Sequence, residues 1–144
     1  MKTSTLRPPA PKWLLIDAEG QSLGKVAVKS AMLLRGKHRA SYSPHQLCGD
    51  HVIVLNAAKL SLPPKKGLRK TYYRHTGFPG NMRITSLDTM MKDKPTYVIE
   101  HAVKGMLPGN RLAREMLGRL HVFADDKHPY EAQKPQSLSL TPAK

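Results

Sequence analysis

The sequence predicts an α/β fold with a small, mostly parallel sheet and helices on its faces, and three observations carry that expectation. Two short apolar runs, residues 13–16 (WLLI) and 52–55 (VIVL), are bounded by Asp17 and Gly20 and by Asp50 and Asn56. Their length and flanks suit strands buried on both faces. Between them Leu23, Val26, Ala27, Ser30, Leu33 and Leu34 fall on one face at 100° per residue, with Lys25 and Lys29 pointing away, as in an amphipathic helix. A strand, a helix and a strand joined over that distance make a parallel crossover unit.

The elements follow in order. Residues 1–12 carry Pro8, Pro9 and Pro11 and read as an extended arm. Residues 13–126 read as a single α/β domain, a size that buries a core without disulfide or metal staples. Ser22 stands where a helix cap belongs, and Gly36 where the helix should end. Residues 37–50 form a loop. Pro63 and Pro64 interrupt the next segment, residues 71–73 suit a short strand, and Gly77, Pro79 and Gly80 mark a turn. Period-two alternation predicts that one of Tyr72 and Tyr73 is buried and the other is not. A short helix over 86–92 follows. Pro95 suits the first turn of another, whose apolar stripe is Val98, Ala102 and Met106. Pro108 and Gly109 break that helix, and Asn110 caps a last one running to about Gly118, with Leu112, Ala113, Met116 and Leu117 on its inner arc. Residues 120–123 are the final strand candidate. Residues 127–144, with Pro129, Pro135 and Pro142, read as an extended tail on the surface.

Charge narrows the function. Lys and Arg total 24 against 10 Asp and Glu, a formal net charge of +14, which favours a polyanionic partner. Between Gln21 and Leu87 twelve Lys and Arg residues face a single acid, Asp50. Ordinary surfaces mix signs. Cys48 is the only cysteine, so no internal disulfide and no cysteine-based zinc site is expected, in keeping with a cytoplasmic setting. No apolar run approaches a membrane span, and a secretory signal is not expected.

Enzymatic readings fare poorly. The stretch Gly20-Gln21-Ser22-Leu23-Gly24-Lys25-Val26 sits between strand and helix like a phosphate loop. That loop needs four residues between its glycines and a Ser or Thr after the lysine to hold magnesium; here there are three, and Val26 binds no metal. The seven histidines form no H-x-x-x-H pair on a helix. No catalytic residue, metal, cofactor or small-molecule substrate is expected.

Basic clusters point instead to RNA. Arg35, Lys37, His38 and Arg39 close the first helix and run into a loop, more cations than a helix dipole needs. Lys65, Lys66, Arg69 and Lys70 lead into Tyr72, Arg74, His75 and Thr76, mixing phosphate neutralisers with rings that stack on unpaired bases. Arg111, Arg114 and Arg119 share the outer arc of the last helix, joined by Glu115.

Several strings, in order and over almost the whole chain, resemble the ribosomal protein L13 family of the bacterial large subunit. They are WLLIDAEGQSLG (13–24), LRGK (34–37), Gly49-Asp50, VIVLNA (52–57), YYRHTGFPG (72–80), VIEHAVKGMLP (98–108), NRL (110–112) and AQKP (132–135). The resemblance implies a three-layer α/β/α fold around a four-stranded, mainly parallel sheet. It implies binding to large-subunit (23S-type) rRNA beside neighbouring ribosomal proteins, a role in early subunit assembly, and Lys104 as a further contact. Repression of translation off the ribosome is the alternative, since some relatives act so on their own message. The chain departs from the family pattern at Pro63-Pro64, Leu68-Arg69, Gly109, Ala113, Glu115, Gly118 and Tyr130. These changes make the 65–76 loop more basic and the last helix less so. The loops around 35–39 and 69–76 are therefore expected to bind RNA more strongly than that helix.

Overall fold

A computed structural model describes residues 7–140. The six-residue start of the arm and residues 141–144 of the tail lie outside the described residues. The central sheet has four strands, all parallel, in the order β5-β2-β1-β6. These are β1 (Trp13–Asp17), β2 (His51–Leu55), β5 (Leu120–Val122) and β6 (Gln136–Leu138). The crossover helix α1 (Leu23–Arg35) joins β1 to β2, as its apolar stripe requires. Leu23, Val26, Ala27, Ser30, Leu33 and Leu34 are all buried.

One face of the sheet offers Leu14, Ile16, Val52, Val54 and Leu120 to the helical layer. That layer is α1, α3 (Leu87–Asp93), α4 (Pro95–Met106) and α5 (Arg111–Leu117). The opposite face carries Trp13, Leu15, His51, Ile53 and His121, paired in register across β1, β2 and β5. The third layer is thin. The chain after β5, with its single 3-10 turn Glu131–Gln133, lays Tyr130 against Trp13 and His121. Trp13 and His51 stack at 4.2 Å, and both His51 and His121 have their pKa lowered, chiefly by burial.

Outside the sheet, α2 (Pro64–Arg69) leads into an antiparallel hairpin of β3 (Thr71–His75) and β4 (Met82–Ser86). The sequence reading had no helix at 64–69 and no strands at 82–86 and 136–138. Pro63 and Pro64 do not interrupt a helix here but occupy its N-cap and first position, where a missing N–H costs nothing.

Three local expectations need correction. Ser22 holds the N-cap position but its side chain makes no capping bond; its backbone bridges to Ser61 instead. In α4 the buried residues are Val98, Ile99 and Val103, while Ala102 is half-buried and Met106 exposed. The stripe thus lies one residue from the one expected. Residue 123 falls outside β5 but its N–H still bonds the Val54 carbonyl at 2.8 Å. Asn110 does cap α5, accepting the Ala113 N–H at 2.9 Å.

Candidate nucleic-acid interface

The loop after α1 is built on a close approach of backbone to backbone. Gly36 ends the helix at φ +81°, and a Cβ at Gly49 would sit 1.6 Å from the Leu34 carbonyl oxygen. Only glycine lets the returning chain lie this near, so that the Asp50 N–H can bond the Leu33 carbonyl at 3.2 Å. This delivers Asp50, 1 % exposed, beneath the loop. Its carboxylate accepts the Lys12 N–H at 2.7 Å, bonds the Arg39 guanidinium, and faces His38 Nε2 at 3.1 Å. A buried carboxylate needs such partners. The lone acid of the basic stretch is therefore an internal anchor.

That anchor divides the first predicted cluster. Lys37 is exposed and Arg35 half-buried, its Nε donating to the Tyr42 hydroxyl at 2.9 Å. Arg39, with its side chain 11 % exposed, is held by Asp50, and His38 leans on the same group. Asp50 thus ties both side chains to the ordering of this loop. Arg119 is also held internally: it turns inward and donates to the Gly49 carbonyl, away from the outer arc of α5.

The second cluster lies on α2 and the hairpin. Lys65, Lys66, Arg69, Arg74, His75 and Thr76 are exposed, and Lys70 sits 5.2 Å over the Tyr72 ring with its pKa lowered by burial and by Lys66. Tyr72 is 7 % exposed and packs edge-on against His101, so it is core and not a stacking platform. Its hydroxyl has a raised pKa, chiefly through burial. Tyr73, at 66 %, is the open ring, and Phe78 and Arg83 of the same hairpin are exposed as well. None of these three is among the residues singled out from the sequence; alternation with Tyr72 as the inward ring points to Tyr73 as the open one.

The third cluster is a cleft of about 550 Å³ between α4 and α5, lined by Lys104, Arg111 and Arg114 over Leu107, Ala113 and Leu117. The glycine turn after β1 serves the protein itself. The Gly20 N–H bonds the Lys59 carbonyl and the Gln21 N–H bonds that of Ala18, both at 3.1 Å. Those amides are not aimed at a phosphate. Among the described residues no group of three His, Cys, Asp or Glu is placed to hold a metal. No helix among them is long and apolar enough to cross a membrane.

Comparison with known proteins agrees with the resemblance. The family model for Ribosomal protein L13 matches residues 11–129. The chain is 48 % identical over 129 residues to the large ribosomal subunit protein uL13 of Symbiobacterium thermophilum, covering 90 % of each. It is 46 % identical to that of Thermus thermophilus, over 97 % of this chain and all of the relative. It is 44 % identical to that of Alcanivorax borkumensis at the same coverage.

Proposed function

The chain belongs to the ribosomal protein L13 family, and from that premise we propose that it works by neutralising folded large-subunit rRNA with three patches carried on one rigid α/β core. It is a structural component of the large ribosomal subunit and not an enzyme. The finer reading is that 23S-type rRNA is the direct ligand, that neighbouring large-subunit proteins lie beside it, and that binding supports early subunit assembly.

One observation carries the reading: the cations are unspent. Among the described residues only Arg39 and Lys59, of all Lys and Arg, sit within 4.0 Å of a carboxylate. Lys37, Lys65, Lys66, Arg69, Arg74, Lys104, Arg111 and Arg114 have no such partner and stand in solvent. Repulsion of this kind is relieved by a polyanion, and the phosphate backbone supplies it.

Sedimentation of cell extracts tests the reading. The bulk of the protein should travel with large subunits and their precursors at low salt, and washing at high salt should strip it from protein-free rRNA. A protein found mainly in the ribosome-free fractions would favour regulation off the ribosome.

A further inference from the structure

In the hairpin, Arg74 and Arg83 are direct cross-strand partners. Alternation places their side chains on the same face as Tyr72 and Thr85. That face forms one wall of a cleft of about 690 Å³, closed on the other side by Lys94 and Tyr97 at the start of α4. Directly opposed residues in an antiparallel pair have Cβ atoms about 4.5–5.5 Å apart, and like charges there are destabilising. The one carboxylate lining the cleft, Asp93, forms no ion pair with either arginine among the described residues. Two arginines thus line one space whose single carboxylate pairs with neither of them.

We propose that Arg74 and Arg83 form a clamp for a single backbone phosphate of RNA, with the adjoining sugar and base passing along Tyr97. A guanidinium matches a phosphate with two parallel N–H bonds, and two forks can share the oxygens of one phosphodiester. The Tyr97 ring is 40 % exposed and is held edge-on to Tyr72 at 6.2 Å and 67°, so it meets the cleft as a fixed surface. Lys94 adds a third positive charge at the rim. The bound phosphate removes the repulsion that the free hairpin carries. The proposal rests on the rRNA-binding reading and gives it a site on the hairpin.

The test measures binding of the full chain to protein-free 23S-type rRNA at several salt concentrations, for wild type, Arg74→Ala, Arg83→Ala and the double variant. Each single change should weaken binding about tenfold or more, as for a charge-assisted contact. The double should be within about threefold of the weaker single, and the log–log salt slope should lose about 0.7–0.9, the value of one phosphate. None of the variants should melt below wild type, since each relieves repulsion. Arg83→Lys should bind less well than wild type, because it keeps the charge and loses the fork. Losses that multiply in the double variant, with a slope change twice as large, would replace the shared clamp by two separate contacts. An Arg83→Ala or Arg83→Gln protein that binds within twofold of wild type would overturn the site. Wild type that fails to bind rRNA would overturn the underlying reading instead.

Discussion

Replacing Arg39 with Ala should unfold the protein at markedly lower temperature, although Arg39 lies in a loop. The carboxylate of Asp50 is 1 % exposed and has three partners: the Lys12 N–H at 2.7 Å, the Arg39 guanidinium and His38 at 3.1 Å. Breaking a buried pair by removing one member costs about 3–5 kcal/mol, because the other charge stays behind. Here the cost belongs at the low end, about 3 kcal/mol, since the Lys12 amide and His38 remain. For a chain of this size that corresponds to a fall in Tm of roughly 10 °C. Circular dichroism melts of Arg39→Ala and Lys37→Ala read it directly, the exposed Lys37 serving as control within about 0.5 kcal/mol. Removing both charges together, as Arg39→Met with Asp50→Leu, should recover much of the loss. A melting point for Arg39→Ala within 2 °C of wild type would refute the anchoring role, on a scale of about 3 °C per kcal/mol. A combined Lys37→Ala and Arg39→Ala change lowers stability as well as charge, so Lys37→Ala alone measures the loop's contribution to RNA affinity.

Other outcomes follow from the same surfaces. Binding to rRNA should fall with salt at a log–log slope of about −4 or steeper, given several phosphates at −0.7 to −0.9 each; a nearly flat titration would mean that the basic patches are not the binding surface. Stability should decline in mild acid because His51 and His121 have folded-state pKa values below the usual 6.5, chiefly from burial, with Arg119 adding to the effect at His51. Their contribution is present above about pH 6.5 and is lost as pH falls from there toward the folded values. A Tm flat between pH 7 and pH 5 would remove this account, and His121→Phe should reduce the slope. Gly49→Ala should cost about 3 kcal/mol or more, since the new methyl meets the Leu34 carbonyl; a melt unchanged from wild type would show that the loop can move aside.

The parts of the fold legible in the sequence are those whose signal is local. The β1-α1-β2 unit announces itself through two apolar runs and a helical stripe; the stripe, the second run, Leu14 and Ile16 are buried, while Trp13 and Leu15 on the other face of β1 are half-buried. The strand β6 (QSL) has no such signal: it is short, largely exposed and polar, and is a strand only because β1 lies beside it. The hairpin was half legible, since its second strand alternates Met82 and Ile84 with Arg83 and Thr85 over one short run and leaves both apolar residues exposed. In the candidate site, charge counting located the basic regions but could not rank residues within them. Lys37 and Arg39 look alike in sequence, and what separates them is which one reaches Asp50. The isolation of Asp50 among twelve cations was the available clue. A lone acid in such company is more useful as an internal counter-ion than as part of the surface.

The seating of β6 against β1 bears on how the molecule is made. Leu14 pairs with Gln136, so one flank of β1 waits for a segment far along the chain. At about 5–20 residues per second, that wait is roughly 6 to 24 s. During it β1 can pair with β2 once α1 has crossed over, but its other flank presents bare N–H and C=O groups, the kind of edge that recruits strands from other chains. Completion of the sheet is therefore a late event in the birth of each molecule, and nascent chains cut short before residue 136 are the ones most exposed to aggregation.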